Sequence, residues 1–178
     1  MKTFIQLPFR LTALVAAAAL VSFSVSAETV ASSTTLKHGD RSFIEKAAKS
    51  GMEEAEISQV ALTRTADTQV RELAQMMVTD HTAANTELGS LAASKGVVLP
   101  VRTESAADKW LKKDAKDAKD FDEDYVAKMV SAHKDAVELF EKEAKHGDDP
   151  DVVAFAAKTL PKLQHHLEMA QSLKKIVK

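Results

Sequence analysis

Glu54, His81, His133 and His166 carry donor atoms of the kind that hold borderline transition metals, and each sits inside a long run of helical periodicity. At about 100° per residue, His81 and His133 lie within about 30° of the centre of their apolar faces. His166 and Glu54 lie roughly 55° off theirs, still inward, whereas His165 and Glu56 fall on the water side. The depths agree as well. Glu54 is 13 residues before Asp67 and His81 is 14 after it. At a rise of 1.5 Å per residue, that sets the two at similar height across a helical hairpin. His133 and His166 stand 16 and 17 residues from Asp149, on either side of a second hairpin. Three imidazoles and a carboxylate converging at one level suit zinc, copper, iron, nickel or cobalt. The competing reading makes each histidine a partly buried core residue, hydrogen-bonded to a backbone carbonyl or to Glu54.

Other chemistries lack their residues. The chain has no cysteine, which removes disulfides, thiolate metal sites, iron–sulfur clusters and covalently attached haem. No Ser/His/Asp constellation, glycine-rich phosphate loop or H-E-x-x-H is present, so a nucleophile-based hydrolase has no catalytic candidate. A haem held between Met52 and His166 is conceivable in a helical bundle, but Met52 reads better as a packing residue. A formal net charge of -2 and a pI near 6.3 offer nucleic acid no electrostatic footing. The one cofactor these residues point to is a transition-metal ion.

Four long amphipathic patterns must position the four donors. With 178 residues there is room for one domain with a real core. Five glycines, four prolines and 5% aromatics are too few for a many-stranded sandwich or barrel. The first pattern runs from Phe43 to about Ala66, with Asp40 as its expected cap and Phe43, Ile44, Ala47, Ala48, Ala55 and Leu62 inward. Asp67 then caps a second helix, about Thr68 to Ser94, with the stripe Val70, Ala74, Met77, His81, Ala84, Leu88 and Leu91, ended by Gly96. A long crossover follows, in which Ser105 and Asp108 can start a short helix carrying Trp110. The Lys/Asp alternation from Lys112 to Asp120 reads as a solvated face. The third long helix, about Phe121 to Lys145, buries Tyr125, Met129, His133, Ala136, Val137 and Phe140. The fourth, about Pro150 to Lys174, opens on Asp149-Pro150-Asp151 and buries Val153, Ala156, Leu160, Leu163, Leu167, Ala170 and Leu173. Pro161 is expected to bend it. The reading is an all-α four-helix bundle with a long crossover between helices two and three, filling residues 40–176.

Residues 1–27 read as a signal peptide: Lys2 and Arg10 flank an apolar run from Leu11 to Val25, and Val25-Ser26-Ala27 is a small-residue cleavage site. That run is short of the ~20 residues a membrane span needs. The mature chain is therefore expected to be exported, periplasmic or secreted, without a transmembrane anchor. Residues 28–39 read as a flexible, Ser/Thr-rich lead-in.

A weak internal repeat, Met77-Val78-Thr79-Asp80-His81 against Met129-Val130-Ser131-Ala132-His133, supports equal facing of two of the histidines. With Phe43, Ala47-Ala48, Gly51-Met52, Glu54-x-Glu56, Tyr125, Leu160-Pro161 and His166-Leu167, these stretches resemble the family called domain of unknown function 4142. The resemblance spans about Phe43 to Leu173. It implies an exported bacterial protein with a ferritin-like helical bundle and brings no established activity. Members are sometimes described as outer membrane proteins, but nothing here alternates like a barrel strand. Di-iron carboxylate bundles place a glutamate three residues before each histidine. Here those positions are Val78, Val130 and Leu163, which argues against ferroxidase or iron-storage chemistry. Three functions stay open: a transition-metal-binding module of the cell envelope, a metal-free structural or interaction module, and an oxidase, which needs a redox metal with an open coordination position.

Overall fold

A computed structural model describes residues 36–99, 105–113 and 118–177, without the side chains of 111–119. The expected signal peptide lies outside the described residues, as do most of the lead-in and residues 114–117 of the Lys/Asp alternation. Among the described residues the fold is all-α, a bundle of five helices with no strand. They are α1 (His38–Arg64), α2 (Thr68–Ser94), α3 (Ala106–Lys113), α4 (Ala118–His146) and α5 (Pro150–Leu173). The four long helices pack α1 on α2, α2 on α5, α5 on α4 and α4 on α1, closing a ring.

Local chemistry sets the helix ends. The Asp67 carboxylate accepts from the backbone N–H of Gln69 at 2.8 Å and Val70 at 3.0 Å, capping α2. At the other end of α2, Gly96 takes φ +65°. Gly96 N–H then bonds the Ala93 carbonyl at 3.2 Å, and Val97 N–H the Ala92 carbonyl at 2.8 Å. This paired pattern needs a left-handed residue, which glycine adopts without steric cost. Ser105 Oγ accepts from Ala107 N–H at 3.1 Å and starts α3. Asp149 caps α5 through Asp151 N–H at 3.0 Å and Val152 N–H at 3.2 Å, with Pro150 first in the helix. The helix continues through Pro161 without interruption.

Asp40 does something other than the expected capping. Helix α1 starts earlier, at His38, and its N-cap residue Lys37 makes no side-chain cap bond. The Asp40 carboxylate is buried and crosses to the α4–α5 turn, accepting from Asp148 N–H at 3.0 Å and Asp149 N–H at 2.9 Å. Those two backbone donors, stranded in a tight turn against the bundle, are a stronger demand than an exposed helix start that water can satisfy.

Contacts at the helix ends also fix directions. Lys95, just after α2, pairs with Asp149 and Asp151 at the start of α5, each at 2.7 Å. The start of α1, the end of α2, the end of α4 and the start of α5 therefore share one pole. Helices α2 and α4 run the same way, so the crossover must travel the length of the bundle. It is pinned on the way: Glu56 Oε2 accepts from Ser105 Oγ at 2.9 Å and Ala106 N–H at 3.0 Å, docking α3 on α1.

The interior divides into two apolar clusters. One, at the shared pole, gathers Phe43, Leu88, Phe140, Phe155 and Leu163, with the Phe43 and Phe140 rings edge to face at 4.9 Å. The other holds Ile57, Val60, Leu73, Phe121, Tyr125 and Leu173. Burying a side chain of this size contributes roughly 1.5–3 kcal/mol, so these clusters hold the bundle together. All four stripes differ somewhat from the sequence expectation: Ala84 and Leu91 on α2 and Val137 on α4 are half-buried, and α1 and α5 differ more. On α5 the buried set is Val152, Phe155, Ala156, Thr159, Leu163, His166, Ala170 and Leu173, while Val153, Leu160 and Leu167 are half-buried. On α1 Ile57, Val60 and Ala61 are inside, while Ala55 and Leu62 are half-buried. Both helices are therefore rotated from the expected orientation, which brings Ile57 and Val60 of α1 and Phe155 of α5 inward.

Candidate metal centre

Between the two apolar clusters, each long helix contributes one side chain to a polar layer. Exposure is 2% at Glu54, 6% at His81, 0% at His133 and 1% at His166. The rotation of α1 and α5 brings Glu54 and His166 to the centre of their inner faces. All four residues singled out from the sequence therefore meet. His165, expected in water, is exposed, and Met52 is half-buried against the apolar cluster at the shared pole, consistent with packing.

Hydrogen-bond partners determine where the imidazole protons are. His133 Nδ1–H donates to the Met129 carbonyl one turn earlier, at 3.0 Å. His166 Nε2–H donates to Asp80 Oδ2 at 2.9 Å. The opposite nitrogens, His133 Nε2 and His166 Nδ1, are thereby left as lone pairs, and they face each other at 3.2 Å. His81 Nε2 lies 3.4 Å from the same His133 Nε2. One ligand nitrogen from each of the three rings lies within 4.8 Å of the other two. Glu54 Oε2 is 3.2 Å from His133 Nδ1 and 3.5 Å from His81 Nε2. Yet neither Glu54 oxygen accepts a hydrogen bond, since the His133 Nδ1 proton is aimed at Met129. Among the described residues, Glu54 is the side chain with both carboxylate oxygens buried and unpartnered.

The electrostatics follow from burial. Desolvation pushes the Glu54 carboxyl up to about 8, partly opposed by Lys128. Desolvation lowers His81 to about 3, helped by its two imidazole neighbours. His133 falls to about 4 for the same first reason. Burial also lowers His166, although the bond to Asp80 works the other way. Three neutral imidazoles result, two of them with inward lone pairs, beside a carboxyl that no hydrogen bond satisfies.

Sequence reasoning missed Asp80 as a participant. Adjacent helical residues face different ways, so Asp80 does not join the ligand cluster beside His81. Instead that 100° turn aims it at α5, where it holds the His166 ring and pairs with Lys162 Nζ at 2.7 Å. Partial burial works to raise the Asp80 carboxyl, but its bonds from Lys162 and His166 prevail and the net shift is downward. The neighbouring Asp-His pair was the available signal; its partner lies on a helix remote in sequence. Tyr125 was read as core only. Its hydroxyl shares a hydrogen bond of 2.9 Å with Ser58, one turn along α1 from Glu54, and desolvation pushes its pKa up.

Several solved structures share the fold. A fragment from Deinococcus radiodurans described as DUF305 aligns with TM-score 0.64 at 11% identity, covering 79% of this chain and 97% of its own. CopM in its Cu(I)-bound form aligns with TM-score 0.63 at 14% identity, covering 76% and 95%. A conserved hypothetical protein from Mycobacterium tuberculosis, rv2844, aligns with TM-score 0.56 at 14% identity, covering 77% and 91%. At these identities the likeness is one of fold. No curated protein matches the chain. The family resemblance read from the motifs around Glu54, His81, His133 and His166 is shown at the level of the whole domain: the model described as Domain of unknown function (DUF4142) matches residues 25–173, and the chain belongs to that family.

Proposed function

We propose that this protein binds a divalent transition-metal ion, copper or zinc by preference, through His81, His133 and His166, with Glu54 as the fourth donor. The carrying observation is the pair of lone-pair nitrogens facing each other at 3.2 Å. The one N–H of each of these two rings is committed elsewhere, to Met129 and to Asp80. His81 and the Glu54 carboxyl, which burial holds protonated, are left to supply protons, yet Glu54 makes no hydrogen bond at either oxygen. A cation serves all of them. Nitrogens held at 2.0–2.1 Å around a tetrahedral ion stand about 3.3 Å apart, close to the spacing here. Asp80 behind His166 and the Met129 carbonyl behind His133 are the outer partners that orient metal-bound imidazoles. Imidazole and carboxylate without thiolate suit zinc and copper. The Cu(I)- and Cu(II)-bound forms of CopM, a bundle of the same fold, support a copper reading.

The ring of long helices with its full-length crossover supports describing the bundle as ferritin-like and four-helical, without the di-iron glutamates. With the leader over residues 1–27, it is an exported protein that handles metal outside the cytoplasm. No helix of the described residues is long and apolar enough to cross a membrane.

Metal analysis of untagged protein tests the reading. One equivalent of copper or zinc is expected to bind. His133→Ala should weaken it by roughly 100-fold or more, since losing even an outer partner costs 10–100-fold. His81→Ala and His166→Ala should act similarly, and His165→Ala should leave the affinity unchanged. Uptake that survives all three substitutions, or no uptake, overturns the proposal and leaves a hydrogen-bonded core layer.

A further inference from the structure

We infer that the centre keeps one coordination position open, facing a closed-in cavity that admits a ligand of one to three heavy atoms from solvent. The inference rests on the metal reading and deepens it by naming the class of ligand: water, hydroxide or a small anion.

The cavity lies among α1, α2, α4 and α5, with Phe140, Phe155 and Leu163 on its apolar walls. Its polar walls include Glu54, His81 and His166 from the polar layer, together with Asp80, Asn85 and Lys162. His133 does not line it, so the cavity meets the donor cluster on the side of Glu54, His81 and His166. Its volume of about 30 Å³ exceeds the ~10–15 Å³ one water requires, yet falls far below the ~300 Å³ at which drug-sized pockets begin. An ester, a peptide or a phosphorylated metabolite does not fit. A water or a triatomic anion does.

Its polar lining is specific. Asn85 approaches the α1 backbone at Gly51 so closely that a β-carbon there would lie 2.4 Å from Asn85 Oδ1. Glycine at this point is what lets the Asn85 side chain lie across the helix and line the space. At the rim, Lys162 pairs with Asp80 at 2.7 Å, which places an ammonium at the mouth while Asp80 stays engaged with His166. Amide and ammonium groups can donate to an anion as it approaches the ion. With Glu54 as fourth donor, the adjoining water-sized space leaves room for a fifth ligand, an expansion of the coordination sphere that open metal sites undergo.

Azide titration of the Cu(II)-loaded protein tests this, after one bound copper per chain has been verified by metal analysis. Azide should shift the electron paramagnetic resonance spectrum and bring up a ligand-to-copper charge-transfer band. Ala84→Leu, which extends a side chain from the cavity wall, should bind copper with unchanged stoichiometry and weaken azide by roughly ten-fold or more, equivalent to about 1.4 kcal/mol. Enhanced relaxation of bulk water protons by the Cu(II) protein supplies a readout that needs no variant. Failure to bind copper overturns the metal reading itself. Bound copper with no response to azide and no water relaxation leaves the metal reading standing and overturns the open position. An azide response equal in Ala84→Leu and wild type overturns the assignment of the ligand to this cavity.

Discussion

Asp40 and Glu54 are both acids on the inner face of α1, and both are almost wholly buried, at 1% and 2% exposure. Their surroundings differ in kind. Asp40 takes two backbone N–H donors from the α4–α5 turn, and its role is complete within the chain. Glu54 sits among three imidazoles and accepts no hydrogen bond. A buried carboxylate with two donors is a pin. A buried carboxyl without any, beside three neutral imidazoles, has no such partner within the described residues. Leaving a buried polar group unpartnered costs roughly 1–3 kcal/mol, a cost that an ion bound in the polar layer would offset.

The sharpest way to break this comparison is to remove the two acids in turn. Asp40→Ala strands two turn N–H groups and should destabilise the protein by about 3 kcal/mol, read as a fall in melting temperature with or without metal. Glu54→Gln should leave the metal-free protein within about 1 kcal/mol of wild type while weakening metal binding. Equal destabilisation by both would show that Glu54 is a structural group like Asp40.

Next in size is Asp80. Asp80→Asn keeps the side chain's shape but weakens its hold on His166 Nε2–H. Metal affinity should fall about 10–100-fold, measured by competition with a chelator, with little change in metal-free stability. An unchanged affinity would remove Asp80 from the site.

The pH dependence of the metal-free protein is a third test. Burial holds the three imidazoles below their ordinary 6.5. As pH falls through 6.5, the unfolded chain takes up protons that the folded one refuses, and stability drops. Glu54 is raised from 4.5 to about 8, and Glu143, buried beside Asp40, from 4.5 to about 7. Above 4.5 the folded chain retains protons that the unfolded one releases, so these two carboxyls cost stability as pH rises. Below pH 6.5 the imidazoles and the two carboxyls oppose each other, and above it only the carboxyl decline remains, so unfolding curves should show stability falling as pH rises from about 6.5. Bound metal should remove the part of the alkaline decline due to Glu54. A stability that rises steadily to pH ~9 without metal would mean that Glu54 is ionised and paired in the fold.

The smallest effect expected is at Gly147. A β-carbon there would meet the Glu143 carbonyl oxygen and Val153 Cγ2, both at 2.7 Å, and backbone cannot yield cheaply. Gly147→Ala should lower the melting temperature through the Asp40 end alone, with metal affinity untouched. A loss of affinity would tie the two regions together.

Much of this was legible in the linear chain. Apolar residues at helical spacing, with Asp67, Gly96, Ser105 and Asp149 at the ends, fixed where α2, α3 and α5 begin or stop, because capping is chemistry between near neighbours. Residue spacing from Asp67 and Asp149 was enough to set Glu54, His81, His133 and His166 at one depth, since the rise of a helix is constant. What a helix leaves open is its rotation about its own axis, and that was decided by packing. The ring turned α1 and α5 until Glu54 and His166 pointed to the centre and Leu62, Val153 and Leu160 became half-buried. The partners of Asp40 and Asp80 were likewise beyond local reading. Each carboxylate answers to a donor more than eighty residues away, and only the closed bundle brings such groups within hydrogen-bond distance.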